Sequence, residues 1–232
     1  VWVFAPENWR AVHAHPDTAL SAHWIVQAKL DRLGRMQRFR HEVVFGEERL
    51  TGIEDGTGRW YQLHYEQICP QKEKHPVESG YFWQADSGVR LTRVHLTQDP
   101  SEPGSKYPQM LVRYHYGGEG DLTEVHDRHG DVARRFDYKN HLMVFHQEKD
   151  GPEHHYRYER NAPGAKAIEQ RNQEGLNYRF VYEPLSDEDG QPRRQAIVTD
   201  SLQRTETYIF KGAAGLERLV EHIRADGSRI ER

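Results

Sequence analysis

Histidines are the side chains of this sequence with the most evident capacity for chemistry. The 232 residues include 15 of them, and two close pairs, His126 with His129 and His154 with His155, have spacings that suggest a metal site. The metalloprotease pattern His-Glu-x-x-His is absent from the sequence. Adjacent strand residues point to opposite faces, so His154 and His155 could not readily share one ion. We therefore predict no metal and no cofactor, with the histidines at the surface or stacked.

Acidic side chains suggest two other kinds of site. The run Ser-Asp-Glu-Asp-Gly at 186–190 resembles the start of a calcium loop, but its sixth position is Pro192, where such a loop needs glycine. Glu148 and Asp150 precede Gly151, and a turn explains them equally well. The nucleophile-elbow, P-loop and dinucleotide-binding patterns are absent. We predict no catalytic residue; a hydrolase built from scattered Asp, Glu and His is the less favoured alternative.

The remaining candidates belong to a recurring unit of sequence. An alternating apolar stretch, the pattern Asp-x-x-Gly and a second alternating stretch with an aromatic end occur at 50–65 and again at 122–138. The turn glycines recur with a period near 24 residues, as between Gly34 and Gly58 or between Gly151 and Gly175. This periodicity indicates a repeat architecture. In such a protein, function is expected on the surface that the repeats form together rather than in an isolated pocket.

The pattern Asp-x-x-Gly predicts a β-turn in each unit. The carboxylate in first position caps backbone amides, and glycine in fourth position accepts a left-handed conformation. In the copy at 199–210, Gln203 occupies the glycine position. The residues assigned to repeat turns are Asp31, Gly34, Asp55, Gly58, Asp127, Gly130, Gly151, Gly175, Asp200, Asp226 and Gly227.

Aromatic residues two apart follow most of these turns and therefore share one face of a strand. Each unit is thus predicted to be a β-hairpin that presents rings to one side. We expect the rings to stack between neighbouring strands, where each pair contributes about 0.2–1 kcal/mol. The alternative is a carbohydrate-binding surface, because such rings also stack on sugars. The structural aromatics are Tyr65, Phe136, Tyr138, Tyr156, Tyr158, Phe180, Tyr182, Tyr208 and Phe210.

Composition favours a thin sheet over a thick core. Only 36% of the residues are hydrophobic and 29% are charged, yet 12 Tyr, 8 Phe and 5 Trp argue against disorder. A net charge of -4 gives no attraction to nucleic acid, and no stretch approaches the ~20 apolar residues of a membrane span. We predict an all-β fold of repetitive antiparallel hairpins in a curved, extended sheet. An irregular or short helical lead-in over 1–23 would precede one continuous domain over 24–232.

The spacing of aromatic pair, turn, Leu, Asp-x-x-Gly and aromatic pair resembles the YD repeats of bacterial Rhs proteins. The run at 113–138 is similar to what Rhs proteins associated with type VI secretion carry, and the resemblance covers most of 24–232, most strongly 111–182. The Tyr-Asp pair itself is modified, because Tyr65, Tyr158 and Tyr182 are each followed by glutamate.

The resemblance implies an extended β-sheet that spirals into a hollow shell around a C-terminal toxin. We therefore expect a non-enzymatic segment of the shell wall, from the N-terminal part of the repeats of a longer protein. Its implied partners are the rest of the polypeptide, the enclosed toxin, and spike proteins or a chaperone of the secretion apparatus. The implied location is the bacterial cytoplasm before export, followed by delivery into a competing cell.

Overall fold

The computed structural model describes residues 1–6, 24–70, 86–213 and 215–231. All regular structure in these residues is β-strand and none is helix, which confirms the all-β prediction. None of the described residues belongs to a helix of the length and hydrophobicity that crossing a membrane requires. The strands are β1 (Trp2–Pro6), β2 (Trp24–Leu30), β3 (Met36–Val44), β4 (Glu47–Glu54), β5 (Trp60–Gln67), β6 (Val89–Gln98), β7 (Gln109–Tyr116), β8 (Leu122–His126), β9 (Val132–Lys139), β10 (Leu142–Glu148), β11 (Glu153–Tyr158), β12 (Ala167–Asn172), β13 (Asn177–Glu188), β14 (Gln191–Asp200), β15 (Thr205–Lys211), β16 (Arg218–Ile223) and β17 (Arg229–Glu231).

The chain divides into two compact units. The first comprises residues 1–70, 88–120 and 125–131, and the second comprises 71–87, 121–124 and 132–232. From β1 to β7 in the first unit, each strand pairs antiparallel with the next along the chain. The strands from β9 to β17 in the second unit do the same. Consecutive antiparallel hairpins are therefore confirmed as the building element.

The sheets of both units have little buried interior. Among the described residues, the buried hydrophobic side chains are Ala28, Cys69, Val89, Leu142 and Ile209. Towards the end of β7 and at the start of β13, half-buried residues alternate with exposed ones. An antiparallel sheet with one solvated face needs polar residues at every second position, which accounts for the low hydrophobic content.

Strand β1 lies in the segment for which an irregular or short helical lead-in is predicted. Residues 2–6 instead pair with β2, and the amino group of Val1 donates to the carbonyl of Leu30 at 2.8 Å. Because this pairing depends on a strand elsewhere in the chain, the residues of β1 alone do not predict it. Residues 7–23 lie outside the described residues. The boundary between 23 and 24, and a single continuous domain over 24–232, stay predictions.

Candidate functional site

The turn at Asp55 shows how the repeat pattern produces its geometry. The Asp55 amide donates to the carbonyl of Arg59, and the Gly58 amide donates to the carbonyl of Asp55, both at 3.0 Å. Oδ1 of Asp55 accepts the amides of Thr57 and Arg59 at 2.9 and 3.1 Å. Gly58 has φ of +81°, the left-handed region that glycine tolerates best. This is a type I turn followed by one left-handed residue, a common hairpin loop.

Four further hairpins repeat this arrangement. In each, the first residue exchanges the same two backbone hydrogen bonds and its side-chain oxygen accepts two amides. Their first and left-handed residues are Asp31 with Gly34, Asp127 with Gly130, Asn172 with Gly175, and Asp200 with Gln203. Gln203 adopts φ of +61° despite its β-carbon, so the surrounding hairpin imposes the conformation.

Two assigned turns depart from this arrangement, one in its backbone and the other only in its first residue. Between β10 and β11, the left-handed residue is Asp150, with φ of +58°, while the Gly151 amide donates to the carbonyl of Glu148 at 3.0 Å. In the last turn, Arg224 takes the first position and Asp226 the third, followed by Gly227 at φ of +83°. An Asp-Gly pair therefore does not by itself fix which residue opens the turn.

An arginine four residues after the aspartate reinforces three of the turns. The Nε atoms of Arg35, Arg59 and Arg204 lie 2.7 Å from Oδ2 of Asp31, Asp55 and Asp200, respectively. Burial opposes ionisation of Asp55, but hydrogen bonds from Thr57 and Arg59 outweigh it and lower its pKa. Asp-x-x-x-Arg is visible in the sequence at these three places.

Tyrosine hydroxyls make a second recurring contact, each with a backbone carbonyl of the preceding strand. Burial raises the pKa of each of these tyrosines, so the hydroxyls are neutral donors. The pairs are Tyr65 with Leu50 at 2.7 Å, Tyr116 with Leu91 at 2.8 Å, Tyr158 with Met143 at 2.7 Å, and Tyr182 with Ala167 at 2.9 Å.

Each accepting carbonyl belongs to the residue just before a β-bulge. A bulge removes backbone groups from the ladder, and a carbonyl sheltered from water needs another donor. Phe210 occupies the corresponding position of its repeat but has no hydroxyl. The strand before it, β14, has no bulge in this region, because β13 and β14 pair without a register shift from Tyr178 to Leu185. The four bulged residues are Thr51, Thr92, Val144 and Ile168.

One face of the second unit collects rings, and we call it the ring face. Its members come from cross-strand neighbours and include Phe136, His146, His154, Tyr156, Tyr178, Phe180, Tyr208 and His222. His146 stacks on His154 with ring centroids 4.6 Å apart, and Tyr208 stacks on His222 at 4.4 Å. Histidines therefore supply much of the stacking that the sequence analysis assigned to aromatic pairs.

The opposite face of the second unit carries paired charges. Nε of Arg157 lies 2.9 Å from a carboxylate oxygen of Glu169, and Arg229 contacts Glu221 at 3.0 Å. His155 also points to this side and lies against Phe145, whereas its neighbour His154 belongs to the ring face. The ring face also carries ion pairs, such as Arg134 with Glu148 at 3.0 Å, so the two faces differ in their rings and not in whether they carry charge.

The candidate metal ligands take part in ordinary contacts. His126 Nδ1 lies 3.1 Å from the carbonyl of Gly130, and the His129 amide donates to Asp127 at 2.8 Å. In the 186–190 run, Asp189 and Gly190 form the β13–β14 turn with positive φ. In the described part of the chain, no three His, Cys, Asp or Glu side chains are grouped so as to hold a metal ion.

Comparison with known proteins relates this chain to bacterial toxins. It is 36% identical over 217 residues to Toxin protein Tse5 of Pseudomonas aeruginosa, which covers 90% of this chain and 14% of that protein. It is 26% identical over 134 residues to Double-stranded DNA deaminase toxin A of Burkholderia cenocepacia, covering 56% of this chain and 9% of the relative. No family model matches the chain.

The chain therefore spans about a seventh of the first relative's length. Together with the all-β hairpins, these similarities support the predicted association with a toxin protein. The two contacts that sequence reasoning missed are the arginine at the fourth position after the turn aspartate and the tyrosine at the bulge. Only the first leaves a pattern that a single sequence shows.

Proposed function

We propose that this chain forms part of the wall of a β-sheet shell in an Rhs-type bacterial protein, and that the shell encloses a toxin domain of the same polypeptide. The observation that supports this most directly is that hairpin repeats with little buried core occur in a chain similar to parts of two toxin proteins. In this proposal the repeats are YD repeats with a modified Tyr-Asp pair.

The two faces of the second unit fit the role of a wall. A sheet that collects rings on one face can present its two faces to different environments. Hydrogen-bond ladders between successive hairpins give such a wall continuity, and the bulges add local twist and bend. The enclosure is steric, so we propose that this segment contributes no catalytic group, cofactor or metal.

The proposed partners are the remainder of the polypeptide and its toxin domain, with secretion-apparatus spike proteins or a chaperone during export. The proposed route is type VI secretion from the bacterial cytoplasm into a competing cell. The two relatives carry toxin names, and this supports the toxin part of the proposal.

Limited proteolysis of the longer protein that contains this segment tests the enclosure. We expect its toxin domain to resist a protease dose that degrades the same domain expressed alone. Two variants test whether this segment contributes to the enclosure. The double variant Tyr158→Phe with Tyr182→Phe should speed cleavage of the toxin domain, whereas the control Tyr156→Phe should not. Equal cleavage of the enclosed and isolated toxin domains would refute the proposal.

A further inference from the structure

Two arginines lie directly opposite each other on neighbouring strands of the first unit. Arg93 of β6 pairs in register with Arg113 of β7. The β-carbons of such a pair are about 4.5–5.5 Å apart, and like charges in these positions destabilise a sheet. Both arginines line a groove of about 390 Å³ along the two strands. An anion bound in this groove would remove the repulsion between them.

The groove carries more positive than negative charge. Among the described residues that line it, Glu66 is the one acidic side chain. A carboxylate oxygen of Glu66 accepts an outer nitrogen of Arg93 at 2.8 Å, and the guanidinium group of Arg93 makes no other hydrogen bond to the described residues. Arg113 is exposed, and none of the described residues forms an ion pair with it. One positive charge therefore remains without a counterion in this part of the structure.

Two imidazoles beside the arginines experience this excess of positive charge. His64 of β5 lies opposite Arg93, and the ring centroids of His64 and His95 are 4.8 Å apart. Burial, the adjacent His64 and the two arginines lower the pKa of His95. Burial and Arg93 likewise lower the pKa of His64. Both imidazoles are therefore neutral at neutral pH, and the arginines supply the positive charge.

The charge and the size of the groove indicate a carboxylate that belongs to a larger molecule. A monoanion neutralises one excess positive charge, whereas a phosphate dianion would leave an excess of negative charge. The planar fork of a guanidinium group matches the two oxygens of a carboxylate. The groove of about 390 Å³ is larger than a carboxylate group, and Ile68 and Tyr114 also line it. It therefore has room for the chain that carries the carboxylate.

We propose that this groove binds an acidic side chain, Asp or Glu, of a peptide segment. The carboxylate would lie between the two guanidinium groups, where it forms an ion pair with Arg113 and relieves the repulsion between Arg113 and Arg93. Glu66 would stay paired with Arg93. The site does not depend on the proposed enclosure of a toxin.

Titration of the isotope-labelled chain with the peptide Gly-Gly-Glu-Gly-Gly, blocked at both ends, tests the proposal by NMR at neutral pH. We expect saturable shifts of the amides of Thr92, Arg113 and His115, which line the groove. The same peptide with glutamine in place of glutamate should not produce these shifts. The pKa of His95, measured from its ring signals, should rise when the glutamate peptide binds, because the carboxylate offsets the positive charge of the arginines.

A pair of arginine variants locates the binding. Arg113→Gln should weaken binding about three- to tenfold, the effect of losing one charge-assisted contact at an exposed site. The matched control is Arg38→Gln on β3, which removes an arginine of the same unit that already contacts Glu54 at 2.7 Å. The control should keep wild-type affinity. Unchanged spectra of both variants away from the mutation establish that they fold.

Several results would overturn the proposal. They are the absence of saturable shifts with the glutamate peptide, equal shifts with its glutamine counterpart, or equal losses of affinity in Arg113→Gln and Arg38→Gln. Saturation of the same amides by inorganic phosphate at lower concentrations than by the glutamate peptide would also overturn it, because the groove would then be a phosphate site.

Discussion

Removal of one tyrosine hydroxyl, in Tyr158→Phe, tests the link between tyrosines and bulges. The hydroxyl donates at 2.7 Å to the carbonyl of Met143, next to the bulged Val144. The ring is half-buried and stays in place in the variant, so little packing is lost. Loss of the donor leaves a sheltered carbonyl without its partner, which costs about 1–2 kcal/mol.

The expected effect is therefore local and larger than that of a neighbouring control. Tyr156→Phe removes a hydroxyl that lies 3.0 Å from Nδ1 of His146, a side chain with other contacts, and should cost at most about 0.5 kcal/mol. Phe210→Tyr adds a hydroxyl where the ladder has no bulge and should give no gain.

Urea denaturation followed by circular dichroism measures the change in the free energy of unfolding. Native-state hydrogen exchange of β10 and β11 locates it, because the amides around Val144 should exchange faster only in Tyr158→Phe. An equal or greater loss of stability in Tyr156→Phe, with unchanged exchange around the bulge, would show that the tyrosine hydroxyl does not stabilise it.

Three further predictions concern protonation and turns. Burial and the adjacent imidazole of His154 lower the pKa of His146, so the native state binds fewer protons than the unfolded chain. The free energy of unfolding should therefore fall as pH drops below about 6.5. In pH-dependent melting, His154→Gln should reduce this loss, and His155→Gln should not. Gly130→Ala, at φ of +87°, should cost about 1–2 kcal/mol in urea denaturation, whereas Gly151→Ala, at a residue without positive φ, should be nearly neutral. Asp55→Ala should cost about 1–2 kcal/mol, and because the native pKa of Asp55 is lowered, its contribution should be present above pH 3.8 and decline below that value, as acid titration of stability would show.

The sequence predicted the hairpin repeats well because their determinants are local. An aspartate that caps amides and a glycine that adopts positive φ act within five residues, as at Asp55 and Gly58. The exceptions have an equally local cause. At Gly151 the preceding Asp150 is itself able to adopt the left-handed conformation, and the Asp226 turn begins at Arg224, so the pattern was displaced by one or two positions.

The stacking on the ring face could be predicted only in part. Alternation along a strand places Phe180 and Tyr178 on one side, and this follows from sequence alone. The choice of His146 as the partner of His154 depends on which strands pair and in which register. A single sequence does not contain that information, since a shift by one residue would exchange the two faces.

Local sequence thus determined that this chain is all-β, where most of its hairpins turn, and which side chains share a face. Tertiary structure alone decided that β1 pairs with β2, where the bulges fall, and that Tyr158 reaches the carbonyl of Met143 fifteen residues earlier. It also placed Glu206 beside Tyr178 and Phe180, which come from another strand two positions away in the sheet. Contacts between strands depend on register, and register is set by the sum of many pairings rather than by any one residue.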